Sequence, residues 1–163
     1  MTRSLVRVQV TPPTNLMDIK LLDKTDHEGA KGPIFFGDDL MLVYQRDQRT
    51  DYFPGYLDFP GGGKDSNETV FETFKRESKE EFGLDIKRGD IIAVKVYKSI
   101  RFANSLAYLV VAKLPLDKAM DMKFGNEGTG YKLISPQEYI DSPLAIPFLR
   151  ERLQDFLSSQ KKK

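Results

Sequence analysis

Residues 62–84 read GGKDSNETVFETFKRESKEEFGL. Thr69 followed by Glu72 is a T-x-x-E capping pattern, and Gly83 stands where a helix stop belongs, so the spacing predicts a helix over Thr69–Phe82. Val70, Phe71, Phe74 and Phe82 form its apolar stripe. Glu77, Glu80 and Glu81 fall at i, i+3 and i+4, so they emerge on one side of that helix. Each like-charged pair at such spacing weakens an isolated helix by roughly 0.2–0.5 kcal/mol. A divalent cation removes the conflict, and Mg²⁺ prefers oxygen ligands that it shares with water and substrate phosphates. Just upstream, the turn Gly61-Gly62-Gly63 lets the backbone approach other groups closely, so its carbonyls can ligate metal or its N–H groups face phosphate. Arg76 cannot ligate a cation, but it can pair with Glu68 and fix the turn against the helix. The alternative reading is a solvated acidic helix face.

Around this stretch the chain reads as mixed α/β. Apolar and polar residues alternate over Leu5–Val10, which Pro12-Pro13 closes. Asp23–Pro33 is polar and reads as a loop, Asp39–Gln45 as a buried strand, and Tyr56–Phe59 as a short strand entering the glycines. Ile91–Tyr97 and Leu106–Ala112 suit a hairpin turning near Arg101–Asn104. Tyr131–Ile134 is a further strand, Ser135-Pro136 opens a helical turn, and Ile146–Leu157 is the last helix. No repeat or linker divides the sequence, so one domain is expected over residues 1–163.

Composition excludes several chemistries. There is no cysteine, hence no disulfide, thiolate nucleophile or cysteine-ligated metal. His27 is the only histidine, which rules out a multi-histidine site, and its polar surroundings predict an exposed loop position. The net charge of +1 gives no global reason to expect polymeric nucleic acid. Lys161–Lys163 reads as a solubilising tail. Neither a targeting segment nor an apolar run of membrane-spanning length is visible, so a cytoplasmic protein without a membrane partner is expected.

The segment resembles the Nudix box, G-x5-E-x7-R-E-U-x-E-E-x-G-U, where U is a bulky aliphatic. Gly62, Glu68, Arg76, Glu77, Glu80, Glu81 and Gly83 fill every fixed position, and Leu84 the last U. The one departure is Ser78, which replaces a bulky aliphatic on the core side between Phe74 and Phe82. Phe59-Pro60-Gly61-Gly62 is similar to the approach strand of that family, and Glu127-Gly128-Thr129-Gly130 to its acidic loop after the box. The resemblance extends over roughly residues 35–160. It implies an α/β/α sandwich around a mixed sheet and hydrolysis of a diphosphate linkage in a nucleoside diphosphate derivative. The cofactor it implies is Mg²⁺, with Mn²⁺ as a substitute. On that resemblance Glu77, Glu80, Glu81, Glu127 and the Gly61 carbonyl are assigned to metal. Glu77 or Glu127 is assigned as general base, and Gly62, Glu68, Arg76 and Gly83 as architecture.

Arg46, Phe53, Tyr56 and Arg101 are candidates for holding the substrate, alongside Tyr52 and Phe102 as stacking surfaces in a chain without tryptophan. A small nucleotide-like molecule is the expected partner, and the chain is expected to act as a monomer or homodimer. A nucleoside triphosphate cleaning enzyme is the first analogy. ADP-ribose, nucleotide sugars and dinucleoside polyphosphates are alternative substrates, and a catalytically silent nucleotide-binding module is the alternative class. Ala145 stands where one well-known type carries a purine-reading Asn, and Gly63 where such enzymes often carry Lys, so weak discrimination of oxidised guanine is expected.

Overall fold

The longest strand organises the rest. The computed structural model describes residues 19–125 and 128–161. Leu106–Leu114 (LAYLVVAKL) alternates its side chains between two faces, as a strand must. Tyr108, Val110 and Ala112 enter one apolar cluster, Leu109 and Val111 another.

In chain order the strands are β1 (His27–Lys31), β2 (Ile34–Phe36), β3 (Leu40–Gln45), β4 (Leu57–Asp58), β5 (Gly61–Gly63), β6 (Ile91–Lys98), β7 (Leu106–Leu114) and β8 (Gly130–Ile134). The helices are α1 (Val70–Phe82), α2 (Pro136–Asp141) and α3 (Pro147–Lys161). On one edge of β7 lies β6, antiparallel. Its other edge is shared by β1 and β2, both parallel to it, with Lys31 opposite Leu109 and Ile34 opposite Ala112.

Between β1 and β2 the sheet forks. β1 turns its free side to β5, while β2 turns its own to β3. β3 then carries β8 on one edge and β4 beyond β2 on the other. The fork is built on Gly32, where an added Cβ would lie 1.8 Å from the Val110 carbonyl oxygen. Only glycine allows that approach. The gap opened between the two leaves is where the candidate site lies.

Helix α1 covers one face of the sheet with Val70, Phe74 and Phe82, packed against Ala30, Ile34, Leu42 and Val110. The opposite face holds Phe35, Met41, Val43 and Val111 under Tyr139 of α2 and Leu149, Leu153 and Phe156 of α3. This is an α/β/α sandwich around a mixed sheet. Each fully buried Val, Leu or Phe contributes roughly 1.5–3 kcal/mol, so the two layers of apolar side chains dominate what holds the sheet.

Thr69 caps α1 by accepting the Glu72 N–H, and Gly83 ends it with φ +67°. Ser135 caps α2 in the same way, with Pro136 at its first position. Ser78 is fully buried, and its Oγ meets no hydrogen-bond partner.

Three expectations are corrected. Asp23–Pro33 is not a loop: it contains β1, whose polar sequence HEGAK is held between β7 and β5. His27 is not exposed: it is 4% accessible, and its Nε2 lies 2.9 Å from Thr73 Oγ1 on α1. Gly61–Gly63 is not only a turn, because it pairs with β1 as a strand. The short strand β2 carried no separate sequence signal. The predicted strand Leu5–Val10 lies outside the described residues, as do Lys162 and Lys163, while Lys161 ends α3. Among the described residues no helix is long and apolar enough to cross a membrane.

Candidate active site

The pairing of β5 with β1 brings the glycines of the box against the end of α1. A Cβ on Gly62 would lie 2.8 Å from the Glu77 carboxylate, so the strand backbone and that side chain are in close contact. Arg76 ties the arrangement from outside. Its Nε donates to Glu68 Oε2 at 2.7 Å and its Nη2 to the Gly63 carbonyl at 2.9 Å. The same guanidinium reaches Glu77 at 3.0 Å and Glu80 at 3.2 Å. Hydrogen bonding from Arg76 holds the Glu68 carboxyl below its ordinary range despite its partial desolvation. Thr73 Oγ1 donates to Glu68 as well, which links the box to His27. Glu68 and Arg76 thus join the glycine strand to the helix.

A cavity of about 320 Å³ opens in the fork of the sheet. Its floor is Gly61, Gly62 and Gly63 with Glu77 and Glu81. Glu81 is buried and Glu77 nearly so, whereas the Glu80 side chain is 60% exposed and turned to Arg76. Glu80 is not part of the cavity lining and pairs with Arg76 on the exposed side of the helix. Among the described residues no three His, Cys, Asp or Glu side chains converge as a cation-holding group. Glu127 lies outside the described residues. Its described flanks are anchored, with the Gly125 N–H on the Glu81 carbonyl at 2.6 Å and the Thr129 N–H on the Gln45 carbonyl at 3.0 Å.

The same cavity has a basic wall. Lys31, Arg46, Arg101 and Arg152 all line the cavity. Lys31 and Arg46 meet on Asp58, which is fully buried. Burial alone would raise the Asp58 pKa, but the two cations outweigh it and hold the carboxyl below its ordinary value. Arg101 lies over the Tyr52 ring at 5.3 Å and over Phe102 at 5.1 Å. Arg152 lies over Phe148 at 4.8 Å and over Tyr97 at 4.7 Å. Such contacts hold the guanidinium groups against aromatic rings by cation–π attraction. Burial lowers the Arg152 pKa somewhat from its ordinary value.

Of the four substrate candidates, Arg46 and Arg101 line this cavity. Phe53 and Tyr56 do not: their rings pack on each other at 5.2 Å, and Phe53 also packs on Phe148, which does line it. Ala145 is buried against Leu57 in the core under α2 and α3 and does not line this cavity.

Several lining residues carried no sequence signal. Glu28 is the clearest. The register of β1 against β7 slips by one residue between His27 and Gly29, a bulge that re-aims the intervening side chain. Glu28 then lines the cavity and accepts a hydrogen bond from Ser99 Oγ at 2.7 Å. Lys31 of β1, Tyr44 of β3 and Phe148 and Arg152 of α3 are brought in from three separate elements and could be found only by folding the chain.

Solved structures share this architecture. A MutT protein from Methanosarcina mazei Go1 is 20% identical with a TM-score of 0.66, covering 83% of this chain and 94% of that one. An Ap4A hydrolase from C. elegans is 18% identical with a TM-score of 0.59, covering 83% and 99%. The dihydroneopterin triphosphate pyrophosphohydrolase of E. coli is 18% identical with a TM-score of 0.60, covering 80% and 94%. At such identities the likeness shows the fold. No curated protein matches the sequence. The model of the NUDIX domain, however, matches residues 27–156, and with the box on α1 and the forked sheet around it, the chain belongs to that family of pyrophosphohydrolases.

Proposed function

We propose that the chain hydrolyses a diphosphate linkage in a small nucleotide-like substrate with the help of a divalent cation, Mg²⁺ or in its place Mn²⁺. One observation carries the reading: the carboxylates Glu28, Glu77 and Glu81, the glycine backbone of the box and four cationic side chains line one cavity together. The donor set on the floor fits a hard ion. It offers oxygen only, and two carboxylates are the share that a protein usually gives Mg²⁺. Glu77, Glu81 and the Gly61 carbonyl would hold it, with Glu80 and Glu127 as further ligands. Bound there, the ion supplies charge neutralisation at the phosphoryl oxygens and a more acidic water.

The side chains do the rest. Lys31, Arg46 and Arg101 neutralise and orient the phosphates. Tyr52, Phe102 and Phe148 supply flat surfaces for the organic part. Water attacks one phosphorus and its P–O bond to the bridging oxygen breaks. The bridging oxygen leaves with the other phosphate, and the proton of the attacking water passes to a carboxylate, Glu77 or Glu127. Among nucleotides, the proposal favours those whose recognition does not depend on a polar reader at position 145. Relatives of this fold include an Ap4A hydrolase and a dihydroneopterin triphosphate pyrophosphohydrolase, so polyphosphates with varied organic groups are the first to try.

The test is a panel of nucleoside triphosphates, ADP-ribose, nucleotide sugars and dinucleoside polyphosphates with Mg²⁺ or Mn²⁺, run on wild type, Glu81→Gln and Glu80→Gln. Turnover of at least one compound is expected. Glu81→Gln should lower kcat about a hundredfold or more, the order seen when a group stabilising transition-state charge is removed. Glu80→Gln should cost less, since that carboxylate is turned to Arg76. A folded Glu81→Gln variant with near-normal kcat would overturn the assignment, and wild type that turns over nothing in the panel would favour a silent binding module.

A further inference from the structure

Asp58 has no part in the box, yet it sits directly under the basic wall of the cavity. It is fully buried at the end of β4 and accepts five hydrogen bonds. Lys31 Nζ donates to both oxygens, at 2.8 and 3.0 Å. Arg46 Nη1 reaches Oδ2 at 2.8 Å and Tyr44 OH reaches it at 3.2 Å. The backbone N–H of Phe59 completes the set at 2.8 Å on Oδ1. A carboxylate offers about four lone-pair sites, so this one is saturated by its neighbours and has nothing left for a ligand.

The three side chains it gathers come from both leaves of the fork. Lys31 ends β1, Tyr44 lies on β3 and Arg46 follows β3. All three line the cavity, whereas Asp58 does not. Lys and Arg are long and rotamer-rich, and free of an anchor their charged ends drift toward water. Buried ion clusters contribute little net stability compared with apolar packing of the same volume. What this one does supply is position. Two cations on one carboxylate leave an excess of positive charge, fixed at the cavity side of the pair.

We propose that Asp58 is a positioning residue: it never meets the substrate, but holds Lys31 and Arg46 as a preformed cradle for the anionic diphosphate. The inference rests on the hydrolase reading for its substrate, but its physical content is anion binding. That content is measured separately with imidodiphosphate, a diphosphate mimic that is not hydrolysed.

The experiment compares wild type, Asp58→Asn, Lys31→Met and the double variant by calorimetric binding of imidodiphosphate with Mg²⁺. Turnover is followed in parallel on whichever compound the panel yields. Asp58→Asn should weaken imidodiphosphate about tenfold and raise KM by a similar factor with a smaller fall in kcat, the order of one lost charge-assisted contact. The double variant should bind about as weakly as either single one, because Lys31 without its anchor contributes little. Asp58→Glu, which keeps the charge, should restore part of the affinity. A folded Asp58→Asn variant that binds within about twofold of wild type, or losses that add in the double variant, would overturn the proposal, as would wild type that binds no imidodiphosphate. If Asp58→Asn does not fold, a Lys31→Met and Arg46→Lys cycle takes its place: coupled losses support a shared anchor and additive losses overturn it. Weakened binding in Asp58→Asn with no turnover by any protein would sink the hydrolase reading and leave the cradle standing.

Discussion

Ser78 shows how a single position can depart from its family at a measurable cost. It lies on α1 with no accessible surface, on the side that carries Phe74 and Phe82 into the core, and its Oγ has no hydrogen-bond partner. A buried hydroxyl left in that state costs about 1–3 kcal/mol, and alanine is also the better helix former by a few tenths. The small void left by removing one oxygen offsets part of this. Ser78→Ala is therefore expected to stabilise the fold by about 1 kcal/mol, which for a chain of this size raises Tm by about 2–4 °C. Thermal unfolding followed by circular dichroism measures it, and a lowered midpoint would show that the hydroxyl is satisfied in solution. Seven residues of the box and this one exception were legible because the box is local: all its spacings lie within one turn and one helix, where side-chain direction follows from sequence offset.

At the scale of elements the legibility changes. α1 and α3 were readable from their 3.6-residue periodicity, and β3, β6, β7 and β8 from apolar runs. β1 was not. HEGAK contains a histidine, a glutamate, a glycine and a lysine, and nothing in it alternates between apolar and polar. It is a strand because β7 and β5 pair with it on both sides, partners that lie 30 to 80 residues further along the chain. Such tertiary context overrides weak local preference. The misread loop had a consequence for His27, which joins β1 to α1 through Thr73 and touches Tyr108 edge-on at 6.0 Å.

Burial first, then the Lys64 charge, lowers the His27 pKa below its ordinary value of 6.5. The folded protein therefore holds this ring neutral where the unfolded chain would protonate it. Its contribution to stability is complete above the unfolded pKa and is lost as pH falls below 6.5 toward the folded pKa. Wild-type Tm should drop between about pH 7.5 and about pH 5, and the drop should be shallower in His27→Gln. Identical slopes for the two proteins across that range would show that His27 does not carry the titration.

Over the whole molecule, the net charge of +1 conceals a local concentration of both signs in one cavity. The cavity gathers Glu28, Glu77 and Glu81 together with Lys31, Arg46, Arg101 and Arg152. A cation alone sees three carboxylates and four cationic side chains that repel it, and a diphosphate alone sees the cationic side chains and three carboxylates that repel it. Each ligand removes the other's opponent, so their binding should be mutually favourable, and by linkage the coupling must be equal in both directions. Thermal stability reads this directly. A ligand held at a hundred times its Kd raises stability by about 2.7 kcal/mol. Millimolar Mg²⁺ alone, or imidodiphosphate alone, should therefore shift Tm little, and the two together should shift it by several degrees more than the sum of their separate effects. Mn²⁺ should replace Mg²⁺ in that experiment, since both take oxygen ligands. Glu81→Gln should abolish the excess shift while leaving the response to imidodiphosphate alone in place. Shifts that merely add in wild type would mean that the carboxylate floor and the basic wall bind their ligands independently, and that the cavity is two sites rather than one.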